Sequence, residues 1–128
     1  MIDAAARDRA SRLRQSLCRL RDEAARLLEE FLAREPHVRG SVYELRRKCG
    51  KSSCACATGG ALHCCMAITW SEGGRKRLRS LGPTQEAKLR RLTERYRVLR
   101  RTRAQLVDVH AEILDVVDRI EALGRQEP

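Results

Sequence analysis

The part of the sequence whose residues could do chemistry is a cluster of cysteines with one histidine in the middle of the chain. Residues 49–65 contain five of the six cysteines and one of the three histidines. Thiolate and imidazole are the ligands that structural zinc prefers, and interspersed glycines let the backbone turn between them. The spacing predicts a tetrahedral Zn²⁺ site whose ligands are Cys49, Cys54, Cys56 and His63.

The identity of the ligands is open at this point, because Cys64 and Cys65 directly follow His63 and either thiol could replace the imidazole. Disulfides are a weaker interpretation of the same cysteines. The first residues have frequent charges and no apolar run of signal-peptide length, so we expect a cytoplasmic protein with reduced thiols. Cys54 and Cys56 are also too close in sequence for an ordinary mutual disulfide. Reactive or redox thiols are the remaining alternative.

A catalytic zinc site would need an open coordination position and a nearby general base. Glu44 and Glu72 are the nearest carboxylates in the sequence, and the spacing recommends neither. The chain shows no evident Ser/His/Asp or Cys/His set, paired carboxylates or phosphate-cradling loop. We therefore expect a closed structural site and no enzymatic activity.

Two long helical segments must position this cluster. Residues 1–35 and 83–124 each repeat apolar residues at alternating spacings of three and four, which is typical of a coiled coil. The first stripe consists of Leu13, Leu17, Leu20, Ala24, Leu27 and Phe31. The second, a predicted oligomerisation seam, includes Leu92, Leu99, Leu106, Ile113, Val117 and Ile120, with Arg103 and His110 at two interrupting positions. Residues 125–128 are predicted to be a disordered tail.

The segment between the helices, residues 36–82, is predicted to be a zinc-binding β module. Residues 66–70 alternate in polarity, a turn follows at Gly73 and Gly74, and a basic strand returns over 75–79. Residues 41–48 could add a third strand. The predicted fold class is mainly α with a small β element: two long helices in an antiparallel coiled-coil stalk, separated by a zinc-clipped β-hairpin module. Because the stalk buries only a narrow stripe, we expect a homodimer that pairs through the helices.

The positive charge is concentrated in the same middle segment. Residues 34–103 hold 18 Lys/Arg and five acids, whereas the whole chain has a net charge of +10. A basic block of this kind favours a polyanion such as DNA or RNA, bound mostly through its phosphates. Arginines on helices are often only a solvated surface, but that does not explain why acids are scarce only here. The predicted nucleic-acid-binding residues are Arg46, Arg47, Lys48, Lys51, Arg75, Lys76, Arg77 and Arg79.

Composition limits the other possibilities. A chain of 128 residues can hold one domain or a small module with helical extensions. Its four aromatic residues are too few to fill a broad core, so long helices or association must help. No run of 18 apolar residues occurs, and we expect no membrane span.

The motifs together resemble a family of small uncharacterised bacterial zinc-ribbon-like proteins. The resemblance covers roughly residues 40–123 and lies in CGKxxCxC from Cys49, a G-x-x-His63 step and the turn Trp70-Ser-Glu-Gly-Gly74 before a long helix. It implies that Cys49, Cys54, Cys56 and His63 are the ligands, and it associates some members with mobile genetic elements. Cys64 and Cys65 stand where the family has Gly-Pro.

Two functional hypotheses follow. The first is a zinc-binding, basic accessory protein of a mobile genetic element, in which the hairpin contacts nucleic acid. The second is a coiled-coil module with a purely structural zinc site whose partner is another protein. The two differ in whether the arginines of the hairpin or the apolar residues of the stalk carry the activity.

Overall fold

A computed structural model describes residues 3–128. Met1 and Ile2, which belong to the predicted segment 1–35, lie outside the described residues. The elements in chain order are α1 (Ala4–Leu32), β1 (Ser41–Arg47), a short 3₁₀ helix (Ala55–Thr58), β2 (His63–Glu72), β3 (Arg75–Leu81) and α2 (Pro83–Gly124). Two helices with a small three-stranded antiparallel sheet between them in sequence confirm the predicted fold class.

The chain forms two compact units. One contains the chain up to Glu35 together with Leu99–Pro128, and the other contains Pro36–Val98. Within residues 3–128, no helix has both the length and the apolar character that crossing a membrane requires.

The first unit is an antiparallel pair of helical segments, α1 and the second part of α2. Asp3 caps α1 by accepting a hydrogen bond from the Ala6 N–H, and a positive φ of 51° at Arg34 follows its end. Leu13 near the start of α1 and Leu123 at the end of α2 line the same cavity, so these parts of the two helices run antiparallel. The core consists of Leu20, Ala24, Leu27, Leu106, Val109 and Val116, with Leu13, Leu17, Ile113 and Ile120 packed against it.

The predicted stripe of α1 is buried from Leu20 to Leu27, whereas Phe31 at its end is 40% exposed. In α2 the predicted phase is partly wrong. Val117 is 41% exposed and Val116 takes the buried position. In the same way Thr102 and Val109 are buried, and Arg103 and His110 lie in solvent. Positions three and four residues along a helix lie on the same side, and at 102/103 and 109/110 the helix buries the less polar residue because burying a charged or imidazole group is costly. Val116 and Val117 do not differ in polarity, so there the packing against α1 decides which one is buried. A role for this seam in dimerisation remains a prediction.

Adjacent leucines of α1 provide a matched test of this packing. Leu27 is 5% exposed and Leu28 is 45% exposed. We expect Leu27→Ala to lower the free energy of unfolding by about 2–5 kcal/mol, because it removes buried methylene groups and leaves a cavity. Leu28→Ala is expected to change it by less than about 0.5 kcal/mol. Urea unfolding followed by circular dichroism measures both, and equal losses would contradict the packing described here.

The second unit contains the sheet, in the order β1-β2-β3 with both pairings antiparallel. The two-residue turn between β2 and β3 has positive φ at Gly73 (57°) and Gly74 (78°), which suits a hairpin turn that follows the twist of the strands. The predicted hairpin and third strand are both present. Ala67 and Ile68 in the centre of β2 are 0% and 3% exposed.

The first part of α2 belongs to the same unit and contacts the sheet where the Arg90 guanidinium donates to Met66 Sδ at 3.8 Å. Pro83 begins the helix, as its fixed φ favours, and the Gln85 side chain accepts a hydrogen bond from the Gly82 N–H. Thr93 is 2% exposed and donates its hydroxyl to the Arg90 carbonyl. The Val38 N–H donates to the Leu92 carbonyl at 3.1 Å, which ties the segment before β1 to α2.

Candidate metal centre

The four predicted ligands come from three short stretches of backbone that the sheet brings together. Cys49 follows the end of β1 by two residues, and His63 is the first residue of β2. β1 and β2 are paired from Ser41 with Thr69 to Arg47 with His63, so the end of one strand lies beside the start of the other. Cys54 and Cys56 lie at the start of the 3₁₀ helix in the connection between these strands.

The donor atoms of these four residues form a compact group. All four atoms lie within 4.8 Å of one another. The Cys49 and Cys56 Sγ atoms are 3.6 Å apart, and the Cys54 Sγ lies 3.2 Å from His63 Nε2. A tetrahedral ion with Zn–S bonds of about 2.3 Å would place its sulfurs roughly 3.8 Å apart. The group is therefore close enough to hold a metal ion.

The backbone between the ligands is shaped by turns and by hydrogen bonds to the thiols. Gly50, with φ of 87°, follows Cys49, whose own N–H donates to the Cys56 Sγ at 3.5 Å. Donation from backbone N–H groups stabilises the charge of a metal-bound thiolate. At the far end of the 3₁₀ helix the Gly60 N–H donates to the Ala55 carbonyl, and a Cβ at residue 60 would lie 2.6 Å from that oxygen. Only glycine fits this close approach without a shift of the backbone.

The environment favours ionisation of one thiol. The backbone N–H of Cys56 and then the His63 side chain bond to the Cys54 sulfur, and they lower the pKa of Cys54 from 9.0 to about 6. At Cys56 the N–H of Cys49 acts in the same direction. There, however, desolvation and the thiols of Cys54 and Cys49 outweigh it, and the pKa of Cys56 is raised. Metal binding must displace the remaining protons, so affinity is expected to fall as the pH is lowered.

The three other cysteines lie outside this group. Side chains alternate along a strand, so Cys64 lies on the opposite face of β2 from His63. A hydrogen bond with Glu44, followed by desolvation, raises the pKa of the Cys64 thiol and favours its protonated form. Cys65 shares the face of His63, but its sulfur lies 3.9 Å from the Ser80 hydroxyl. Cys18 is exposed on α1, and all six cysteines are free of disulfides.

The predicted nucleic-acid-binding residues lie on both faces of the sheet. In antiparallel pairs, opposite residues share a face. The register Arg79 with Ile68, Arg77 with Trp70 and Arg75 with Glu72 places all three arginines of β3 on one face, which Arg46 of β1 shares through its pairing with Cys64. Lys76 and Arg47 lie on the other face, and Lys48 and Lys51 lie in the connection that carries the cysteines.

One set of residues was missed by the sequence analysis. The Tyr96 ring on α2 stacks on His37, with ring centroids 6.0 Å apart and planes 22° apart. Tyr96 and Trp70 also line one cleft. The only signal in the sequence was the scarcity of aromatic residues, which does not show that two of them line one cleft.

Comparison with known proteins places the chain in a family. Residues 12–91, well over half of the chain, match the profile of a domain of unknown function, DUF6788. The chain belongs to the DUF6788 family. No curated protein and no solved structure matches it. The DUF6788 match includes the four grouped ligands, the whole sheet and the first turns of α2, whereas the predicted resemblance extended over residues 40–123.

Proposed function

We propose that this DUF6788 protein is a non-enzymatic zinc protein that binds nucleic acid through the basic face of its sheet, as an accessory to other nucleic-acid-processing proteins. The metal part of the proposal is supported by the donor set. Three thiolates and one imidazole are soft to borderline ligands that suit Zn²⁺. The group contains no carboxylate among the described residues, and four protein ligands complete a tetrahedral shell, which is typical of a structural ion.

The observation that carries the nucleic-acid part is the register of β3. This edge strand has the sequence RKRLRSL, with four cations and no acid, and every residue from Arg75 to Ser80 is exposed. Alternate residues of a strand are about 6.7 Å apart, so the guanidiniums of Arg75, Arg77 and Arg79 form a row along one face. Guanidinium groups bind phosphate oxygens with paired hydrogen bonds.

Two carboxylates lie near this basic face. Glu72 is 3.8 Å from Arg77, and Glu44 is 3.5 Å from Arg46. All four side chains are about half exposed or more, and exposed pairs of this kind contribute only about 0–1 kcal/mol. Such pairs can be exchanged for phosphate contacts at little cost.

A second function is favoured by a different observation. On α2, Val107, Leu114 and Val117 are 54%, 62% and 41% exposed, and 107 and 114 are one heptad apart. This unpartnered apolar stripe could serve a coiled-coil interaction with a second copy or another protein. In that case the charges of β3 would serve only to keep an edge strand from pairing with other chains.

Salt dependence separates the two functions. Fluorescence anisotropy of zinc-loaded protein with labelled duplex DNA, single-stranded DNA and RNA is measured across a range of salt concentrations. Nucleic-acid binding through phosphates predicts a logarithmic affinity that falls linearly with the logarithm of salt, with a slope of about −0.9 per contacted phosphate on duplex DNA. Absence of binding at low salt, by folded and metal-loaded protein, would overturn the proposal and favour a protein partner of the helices.

A further inference from the structure

A cleft of about 330 Å³ in the unit Pro36–Val98 is lined by aromatic and basic residues. Trp70 and Tyr96, two of the four aromatic residues of the chain, line it together with Arg39 and Lys76. Small polar residues complete the lining: Gly40, Ser41, Thr69 and Ser71. The cleft is separate from the four-ligand group, with which it shares no residue.

Both rings are held in place by their neighbours. His37 stacks on Tyr96, and the hydrogen bond from Val38 to α2 anchors the segment that carries His37. The Trp70 indole N–H donates to a Glu72 carboxylate oxygen at 3.4 Å, and the same oxygen lies 3.8 Å from the Arg77 Nε. Trp70 and Tyr96 are both partly buried, so each ring is supported and still accessible.

Strand β2 extends past the end of its pairing with β1 at Trp70. The pairing of β1 with β2 ends at Ser41 with Thr69, whereas β2 continues to Glu72. Residues 70–72 therefore have a strand partner only on the β3 side. On its other side this stretch is a strand edge, and strand edges present backbone N–H and C=O groups to ligands.

We propose that this cleft binds an unpaired nucleobase, which makes single-stranded nucleic acid the preferred ligand; the inference rests on the proposed function. Proteins that bind single strands combine a cationic groove with aromatic rings on which bases stack. Here the Trp70 and Tyr96 rings offer stacking surfaces to the base, and Arg39 contacts an adjoining phosphate. Lys76 lies on the opposite face of the sheet from Trp70 and contacts a phosphate further along the nucleic-acid strand.

A duplex would not use this site. Its bases are stacked on one another inside the helix, and unpaired bases are the ones whose faces side chains can reach. The arginine row of β3 does not make this distinction, because phosphates are present in both forms. The cleft therefore adds a preference for single strands to the affinity that the arginine row supplies.

The single tryptophan of the chain reports directly on the site. Zinc-loaded protein is titrated with oligo(dT), oligo(U) and a DNA duplex of matched length, while Trp70 fluorescence and the anisotropy of labelled strands are recorded. We expect saturable quenching by one or both single strands that is clearly stronger than any change caused by the duplex at equal occupancy, because only a stacked base covers the indole ring. The two single-stranded arms distinguish DNA from RNA.

Variants test the role of the rings without relying on quenching. Tyr96→Leu, which keeps an apolar side chain on α2, is expected to weaken single-strand binding roughly 5- to 150-fold, the range for loss of one base–aromatic stack. Tyr96→Phe keeps the stack and is expected to retain affinity, and duplex binding should be unchanged in both. Phe31→Ala removes an aromatic residue from the other unit and is the matched control. Circular dichroism and metal content establish that each variant is folded.

These experiments distinguish failure of the proposed function from failure of the base-binding cleft. If neither single strands nor duplex bind, the proposed function fails and this inference fails with it. If the duplex binds as tightly as single strands and Trp70 fluorescence does not change, only the base-binding cleft is overturned. Equal binding by Tyr96→Leu and Tyr96→Phe would also overturn it.

Discussion

Cys56→Ser is expected to abolish stoichiometric metal binding and to unfold the connection between β1 and β2. Cys56 is 1% exposed, and its sulfur accepts the Cys49 N–H and lies beside the Cys49 sulfur. Across residues 48–62 it is the one buried residue. The connection therefore has almost no apolar core of its own, and we expect a metal ion to be the main source of its stability. Structural zinc sites contribute apparent binding free energies of about 10–16 kcal/mol at neutral pH.

Metal content of the purified protein, together with limited proteolysis, measures this effect. Wild-type protein is expected to hold one zinc ion and to resist cleavage within residues 48–62 until a chelator is added. Cys56→Ser is expected to be cleaved there without a chelator. Cys64→Ser and Cys18→Ser are matched controls, because both thiols lie outside the group, and they should keep the metal. If Cys64→Ser lost the metal and His63→Ala kept it, the ligand set would be wrong.

Much of the site was predictable because it depends on local spacing. Cys49, Cys54 and Cys56 are close in sequence, and the turn at Gly50 and the short 3₁₀ helix lie between and beside them. The local backbone alone therefore brings the three thiols together. Which of His63, Cys64 and Cys65 joins the three thiols depends on how β1 and β2 pair in the sheet. The pairing of Arg47 with His63 places this residue beside Cys49, and the alternation of β2 places Cys64 on the other face. Sequence spacing carries no information about that register.

The helices, too, were predictable in part: their presence followed from the sequence, but the residues that they bury did not. An apolar repeat predicted both of them, since periodicity is a local property. The predicted seam of α2 differs from the buried residues at three places, because residues 102 and 103, 109 and 110, and 116 and 117 compete for positions close to the same side. Packing against α1 decides between them, and it buries Thr102 and Val116. The placement of Trp70 and Tyr96 around one cleft was not predictable at all, because it joins a strand to a helix 26 residues further along the chain.

The triple variant Arg75→Ala, Arg77→Ala, Arg79→Ala is expected to remove most of the nucleic-acid affinity. If each guanidinium neutralises one phosphate, the slope of log affinity against log salt becomes less negative by about 2.7 on duplex DNA. Loss of phosphate contacts should weaken binding to all sequences alike, since these contacts read no bases. Anisotropy titrations at several salt concentrations give both the affinity and the slope.

A second triple variant with the same loss of charge is the matched control. Arg9→Ala, Arg14→Ala, Arg19→Ala removes three exposed arginines from α1, in the other unit. If net charge alone attracts the polyanion, both variants lose affinity and slope equally, and β3 has no special role. If the row on β3 is the site, the α1 variant keeps nearly the full slope. The register of β3 with β2 aligns these arginines on one face, so we expect the second result.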